Sequence, residues 1–399
     1  MNIIPSLERA QRLILASLFP LPAENVPLLD ATGRIAAQPI KAIRAVPDFA
    51  RSSMDGFAID SKILANIGEA SLRISGEIAA GTTNLPILND NTAIRIMTGG
   101  AIPAGADQVI PVEQCRLVDD RVLLTGPSRP GGHIRPAGAD LRRGETIVAG
   151  GQQIEPQHLP LLAESGCDPI QVVTRPKLAI LCTGSELLDT MTTPLPGQIV
   201  GGNRFLLQAL TSKAMALVHE TSLANDDLDA ISERLAAALA GPAHMVITTG
   251  GMGPGKFDLL PQAFARLGIK PLYQALAVRP GRSTMFGMAG TKPVFALPGP
   301  PPAVFLLFHE LVLPALRQLQ GQRPPVPTLC RAILSSPLSM RKTGILNLKT
   351  ATARLTGATL TVCPAKPGEI ANAIIRVPAN RRLLRAGETV RVRLCGSLA

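Results

Sequence analysis

Between residues 176 and 322, the hydrophobic positions alternate between strand-like runs and helix-like stripes. The segment Lys177–Cys182 consists of one lysine followed by a continuous apolar run, which is typical of a parallel strand covered on both faces. Helical spacing follows over Asp226–Ala240. Its apolar face consists of Leu228, Ile231, Leu235 and Leu239. This alternation predicts a doubly wound α/β domain over residues 176–322.

Hydrophobic patterns in the rest of the chain predict smaller units. Residues 6–18 have helical spacing, with Ser6 as the expected N-cap. Residues 59–130 alternate short strand-like runs with Gly, Pro and Asn, which predicts a β-rich unit. After a proline-rich linker at 322–327, alternation such as that in Thr389–Leu394 predicts a small β-barrel or sandwich.

A glycine-rich loop follows the apolar strand that begins at Met245. Its glycines are Gly250, Gly251, Gly253 and Gly255. Glycine lets a ligand approach the main chain, and the helix expected after Asp258 would direct free N–H groups at the loop, as in an anion cradle. Asp258 suits a bridging Mg²⁺ better than a phosphate. The alternative is a strand-to-helix turn in which glycine supplies geometry only.

Other candidate residues are expected at the same edge of the sheet, because ligands of open α/β sheets bind beyond the carboxyl ends of the strands. Glu186 and Asn203 follow predicted strands, and the loop after Phe295 is locked by prolines into a rigid wall. Arg279 and Arg282 flank Pro280-Gly281, a spacing that can present two guanidinium groups to an oxyanion.

Composition narrows the classes of partner. The net charge is +11, and residues 327–399 carry most of the excess, which indicates either a solvated face or a domain that helps to hold an anionic ligand. The chain has no Trp, one Tyr and ten Phe, and this scarcity of aromatic side chains argues against a nucleic-acid binder that stacks bases.

Cysteine spacing and hydropathy exclude other classes. The six cysteines form no Cys-x-x-Cys pair, so neither a zinc site nor a disulfide framework is expected. The most apolar run, Ala303–Leu316, is shorter than a bilayer span, and the N-terminus has no cleavage-like site. We therefore expect a cytoplasmic protein.

Motifs in collinear order resemble those of the molybdopterin molybdenumtransferase family, which comprises the MoeA proteins and the E domain of gephyrin. The motifs are Ser52–Ala58, Arg95–Gly99 with Pro103–Asp107, Arg135 with Gly138–Asp140, Leu181–Leu187, Gly250–Gly255 with Asp258, Arg279–Gly281, Leu297–Gly299 and Gly387–Glu388. Together they cover essentially the whole chain.

The resemblance implies four domains and a homodimer. They are a linker domain (1–45 and 146–176), an inserted β-rich domain (46–145), an α/β molybdopterin-binding domain of the MoaB/MogA type (176–322) and a C-terminal β-barrel (327–399). The site is expected between the α/β domain of one subunit and the inserted domain of the other. A contact with a molybdopterin adenylyltransferase is also expected.

The resemblance also implies a reaction, the insertion of molybdate into adenylylated molybdopterin with Mg²⁺ and release of AMP. Glu186 and Asp258 would handle Mg²⁺ and the pyrophosphate, and Asp55 and Asp140 would complete the site from the partner subunit. The other residues implied in ligand binding are Thr98, Thr183, Gly184, Asn203, Gly250, Gly251, Gly253, Gly255, Arg279, Arg282, Pro298 and Pro301.

Several positions depart from the family pattern. Gly253 replaces a serine, Gly201-Gly202 an Asp-Ser pair, Ala139 a glutamate and Pro300 an asparagine, and arginines replace lysines around Pro280-Gly281. Because lost polar contacts can slow catalysis, a second hypothesis is a non-catalytic or altered paralogue that stores, delivers or senses molybdopterin or molybdate. A gephyrin-like scaffold has less support, since the chain has no additional partner-binding domain.

Overall fold

The structure is a computed structural model that describes residues 4–65, 68–188, 193–253, 255 and 258–398. The chain forms two compact units. The first contains the described parts of Met1–Glu24, Gly33–Ala37 and Val172–Ala399, and the second contains those of Asn25–Thr32 and Gln38–Gln171. The finer division into four domains stays a prediction.

Seven α-helices occur in the described ranges. They are α1 (Leu7–Ala16), α2 (Leu159–Glu164), α3 (Gly202–Lys213), α4 (Leu228–Ala240), α5 (Leu260–Arg266), α6 (Pro301–Leu307) and α7 (Leu313–Leu319). A π-helical turn, Phe308–Val312, joins α6 to α7. Short 3-10 turns span Leu28–Asp30, Ser61–Leu64, Val112–Gln114 and Pro156–His158. The Ser6 hydroxyl caps α1 by accepting a hydrogen bond from the Arg9 N–H, which confirms the predicted N-cap.

The first unit contains the predicted α/β sheet, with six strands. Their order is Leu217–Ala224, Lys177–Thr183, Met245–Thr249, Lys292–Leu297, Met285–Ala289 and Lys270–Tyr273. The first four strands are parallel, and the last two are antiparallel to their neighbours. After Lys177–Thr183 the chain forms the edge strand Leu217–Ala224 on one side of this strand, and then Met245–Thr249 on the opposite side. The strand order therefore reverses between these two strands, and such a switch point is where ligands of open α/β sheets bind.

Alternate residues of the central strands pack against helices on opposite faces of the sheet. Ile180 and Ile247 lie in a core with α1, α3, α6 and α7, whereas Leu181 and Val246 lie in a core with α4 and α5. Each such side chain, fully buried, contributes roughly 1.5–3 kcal/mol. The burial of both faces explains the continuous apolar run from which the strand was predicted.

The C-terminal part of the first unit is a closed five-stranded barrel, the first of the two alternatives that the sequence left open. Leu346–Thr356 pairs with Thr359–Pro364 and with Ala373–Val377, and Cys330–Leu334 and Thr389–Leu394 complete the ring. Val278–Arg279 adds to the outside of Leu346–Thr356.

The second unit contains the predicted β-rich region as a six-stranded mixed sheet. Its strand order is Gln108–Pro111, Gly56–Ile59, Thr92–Ile96, Glu69–Ile78, Arg121–Thr125 and Cys115–Val118. Shorter strands elsewhere in the chain are Ala23–Val26, Ile40–Lys41, Arg51–Ser52, Ile134–Arg135, Thr146–Val148, Ile170–Val173, Leu187–Leu188, Ile199–Val200, Leu338–Ser339 and Leu383–Leu384.

The helical segment Pro301–Leu319 is longer than the apolar run seen in the sequence. With 19 residues it has the length and composition of a membrane span, but 72% of an 18-residue stretch of it is buried inside the protein. It therefore packs as a core helix beside the α/β sheet.

Candidate active site

The switch point of the α/β sheet opens into a cleft of about 650 Å³. Loops at the carboxyl ends of the four neighbouring parallel strands form it. Residues predicted for the site that line it are Thr183, Gly184, Glu186, Asn203, Gly250, Gly251, Gly253, Asp258, Pro298 and Pro301. The strand pattern had placed Glu186, Asn203, the glycine-rich loop and the loop after Phe295 at this edge of the sheet, whereas Thr183 and Gly184 were implied by the family resemblance.

Gly250 and Gly251 are required by both conformation and space. Their φ angles are +92° and +57°, in the left-handed region that favours glycine. A Cβ on Gly250 would lie 2.3 Å from the Thr183 carbonyl oxygen. The loop therefore begins in close main-chain contact with the neighbouring strand. Pro254, Lys256 and Phe257 of the predicted loop lie outside the described residues.

Three carboxylates line the cleft. Glu186 turns back over Gly184, where an added Cβ would lie 2.7 Å from each carboxylate oxygen. Asp258 Oδ2 accepts a hydrogen bond from the Gly255 N–H at 2.7 Å. One loop donor that the sequence assigned to an anion is therefore taken by the chain's own carboxylate.

The third carboxylate, Asp226, was missed by the sequence analysis. Its Oδ2 accepts a hydrogen bond from the Ser185 N–H at 3.1 Å, and its own N–H donates to the Ser185 hydroxyl. In the sequence it was included in the start of a helix, whereas α4 begins at Leu228 with Asp227 as its N-cap. Its position just after a strand of the sheet is the signal that would have identified it.

Asn203 is anchored to two walls of the cleft. Its side-chain N–H group donates to the Gly299 carbonyl at 2.7 Å and lies 3.4 Å from the Thr249 hydroxyl. Its Oδ1 is buried and has no hydrogen-bond partner in the described structure. A buried acceptor without a donor is costly, so this oxygen is suited to a donor group of a bound molecule.

The proline wall forms as predicted. Pro298 and Pro300 line the cleft, and Pro301 begins α6. Cys182 also lines the cleft, but its side chain is buried, and burial raises the pKa of the thiol above its usual range. The thiol is therefore unsuited to act as a nucleophile.

Arg279 and Arg282 are exposed and are not among the residues that line the cleft. Arg279 belongs to the short strand that joins the barrel. Among the described residues that line the cleft there is no Lys or Arg.

The cleft offers oxygen ligands to a divalent cation. Among the described residues, no three His, Cys, Asp or Glu side chains are close enough to enclose a metal. Mg²⁺ is ordinarily held by one or two carboxylates together with waters and substrate phosphates. Glu186 and Asp258 therefore fit such an ion without a complete protein cage.

The candidate residues of the second unit form two contacting pairs. Asp55 Oδ1 accepts hydrogen bonds from the Thr98 hydroxyl at 2.6 Å and from the Thr98 N–H at 2.7 Å. Both hydrogen bonds lower the pKa of Asp55 below its ordinary value, and the bond from the hydroxyl has the larger effect. Asp140 forms an ion pair with Arg135. The Arg51–Ser52 strand, just before Asp55, pairs with Ile134–Arg135.

Comparison with known proteins relates the whole chain to one group. Residues 5–166 match the family model described as the MoeA N-terminal region (domain I and II), and residues 179–318 match a probable molybdopterin binding domain. A molybdopterin molybdenumtransferase of Staphylococcus aureus (strain Mu50) is 32% identical, with 99% of this chain and 96% of that protein covered. One of Staphylococcus epidermidis is 32% identical, with 94% and 91% covered.

Among solved structures, a molybdopterin biosynthesis MoeA protein from Pyrococcus horikoshii OT3 has a similar fold. The TM-score is 0.82 at 26% sequence identity, covering 98% of this chain and 100% of that chain. The similarity therefore extends across both units and is not limited to the α/β sheet.

Proposed function

Because the chain belongs to the molybdopterin molybdenumtransferase family, we propose that it inserts molybdate into adenylylated molybdopterin with release of AMP, a step of molybdenum cofactor biosynthesis. The observation that carries this proposal is the 32% identity over 99% of this chain and 96% of the relative from Staphylococcus aureus. The cleft at the switch point supports it, since it combines glycine-lined main chain with carboxylates.

Within the cleft, the residues have separable roles. Glu186 and Asp258 would hold Mg²⁺, which supplies positive charge to the phosphates of the substrate. Asn203 would present Oδ1 to a donor group of the pterin, because its amide N–H is already committed to Gly299. Pro298 and Pro301 would limit the movement of the ligand against a rigid wall.

A second subunit would complete the site. We propose a homodimer in which Asp55, Thr98 and Asp140 of one subunit complete the cleft of the other. Arg135 would come with Asp140, to which it is ion-paired. This arrangement would supply the guanidinium group that the described residues of the cleft lack. Arg279 and Arg282 are left as candidate contacts for molybdate at the margin of the site.

The cellular setting follows from the substrate. We propose that the protein works in the cytoplasm and receives adenylylated molybdopterin from a molybdopterin adenylyltransferase. A direct contact with that enzyme would shorten the exposure of the ligand to solvent.

The decisive experiment measures AMP formation from adenylylated molybdopterin. We expect release to require both Mg²⁺ and molybdate, and Asp258→Ala to slow it at least about a hundredfold, as expected for loss of a group that stabilises developing charge. Asp229→Asn, at an exposed acid outside the cleft, serves as the matched control. Tight ligand binding without any AMP would instead identify a storage or delivery protein.

A further inference from the structure

The glycine-rich loop contains two kinds of glycine. Gly250 and Gly251 have positive φ angles, so their backbone conformation favours glycine. The φ angles of Gly253 and Gly255 lie outside the left-handed range. Conformation therefore gives no reason for a glycine at these two positions.

What these two glycines share is contact with one carboxylate oxygen. A Cβ on Gly253 would lie 2.7 Å from Asp258 Oδ2, and a Cβ on Gly255 would lie 2.9 Å from the same atom. Both distances are shorter than real Cβ contacts, so the carboxylate, at the end of a flexible side chain, would have to shift. The missing side chains thus clear the space in which Oδ2 accepts the Gly255 N–H.

We propose that Gly253 is a positioning residue for Asp258: by leaving this space open, it lets Oδ2 bind the Gly255 N–H and directs Oδ1 to a divalent cation. Oδ1 receives no hydrogen bond from the described residues, and Asp258 lines the cleft. The catalytic meaning of this orientation rests on the proposed function.

The departure at position 253 fits this role. The resemblance leads to an expected serine there, and its Cβ would lie 2.7 Å from Asp258 Oδ2. The carboxylate would then have to shift, which would weaken its charge-assisted hydrogen bond with the Gly255 N–H. In this chain the glycine and the orientation of Asp258 therefore belong together.

A double-mutant cycle tests the positioning directly. Gly253→Ala should lower the melting temperature of the otherwise unchanged protein, because the new Cβ displaces the carboxylate. In an Asp258→Ala background the same substitution should cause no decrease, since the backbone accepts alanine and the clash is gone. Gly255→Ala should behave in the same way, and provides a second variant if Gly253→Ala folds poorly.

Cation binding provides the second measurement. Mn²⁺ titrated into the full-length protein, followed by electron paramagnetic resonance, should bind Gly253→Ala about ten- to a hundredfold more weakly than the parent, the range typical of residues that orient a metal ligand. Gly202→Ala is the matched control, because Gly202 also lines the cleft and its added Cβ would meet nothing within 4 Å. Its Mn²⁺ affinity should not change.

The two outcomes that overturn the proposal are separate. An equal decrease in melting temperature in both backgrounds would show that Gly253 acts independently of Asp258. Unchanged Mn²⁺ affinity in Gly253→Ala, or no Mn²⁺ uptake by the parent protein, would overturn the role toward a cation. Failure of AMP formation would count against the proposed function and would leave the result of the stability cycle unaffected.

Discussion

At the scale of single residues, Asp55 shows how one neighbour sets the charge of a candidate side chain. The hydroxyl and the N–H of Thr98 both donate to Oδ1, and both favour the ionised form. Because the folded pKa is depressed, this group contributes stability above its unfolded pKa, and loses that contribution as the pH falls through the folded value. At neutral pH the carboxylate is charged.

Replacing Thr98 with valine should raise the pKa of Asp55, because the larger of the two contributions, the hydroxyl bond, is removed. The pKa should remain below the ordinary value of an aspartate, since the bond from the Thr98 N–H persists. A ¹³C NMR titration of the Asp55 carboxylate measures the change directly. Thr92→Val is the matched control, because the Thr92 hydroxyl donates to the Asn89 carbonyl instead. An unaltered pKa in Thr98→Val would contradict the assigned cause.

How far single residues of the site could be predicted depends on their distance from a regular element. Glu186 and Gly250 follow buried strands, so the strand pattern placed them at one edge of the sheet. Arg279 and Arg282 could not be placed in this way, since long side chains in an irregular segment can point to solvent, as they do here. The internal hydrogen bond of Asp258 was equally hidden, because it depends on loop geometry.

At the scale of elements, Glu310 connects the last helical segment of the α/β sheet to the barrel. It lies in the π-helical turn, is fully buried, and its carboxylate accepts hydrogen bonds from Arg376 and Arg393. Its carbonyl accepts from the Gln11 side chain of α1. One residue therefore joins three elements of the first unit.

Glu310→Ala should destabilise the first unit by about 3–5 kcal/mol, because it leaves the charge of Arg393 buried without its partner. Chemical denaturation followed by circular dichroism gives the change. Asp229→Asn breaks an exposed pair with Arg266 and should shift the midpoint little. If the two variants unfolded at the same denaturant concentration, the network would have no structural role.

The elements differ in how well the sequence predicted them. The strand at Lys177 and helix α4 were evident because their apolar residues are set by packing on the sheet. The basic excess in residues 327–399 led to two alternatives, a solvated face or an anion-binding domain. Arg376 and Arg393 instead form ion pairs with Glu310, which is neither of these alternatives. The sequence did not indicate this pairing, because Glu310 interrupts an apolar run that is far from both arginines in the chain.

At the scale of the whole molecule, the charges of the cleft favour a shared site. Three carboxylates line the cleft, and none of the described residues that line it is a Lys or an Arg. The substrate that we propose for this cleft is nevertheless an anion. Mg²⁺ would neutralise part of this charge. In the proposed homodimer, Asp55, Thr98 and Asp140 of a second subunit would complete the site, with Arg135 paired to Asp140.

A mixture of two inactive variants tests this arrangement. In a heterodimer of Asp258→Ala and Asp55→Ala subunits, one cleft combines an intact Asp258 with an intact Asp55 from its partner. After random exchange of subunits, AMP formation should return to about one quarter of the wild-type rate, because half of the dimers are mixed and each has one complete cleft.

The matched control mixes Asp258→Ala with Glu186→Ala. Both residues line the cleft of the same unit, so every cleft in the mixed dimers still lacks one carboxylate, and activity should stay at the level of the single variants. Recovery in the control, or none in the first mixture, would show that Asp55 and Asp258 do not serve one cleft from two subunits. Because subunit exchange does not alter the residues of either chain, recovery confined to the first mixture can come only from their sharing of a site.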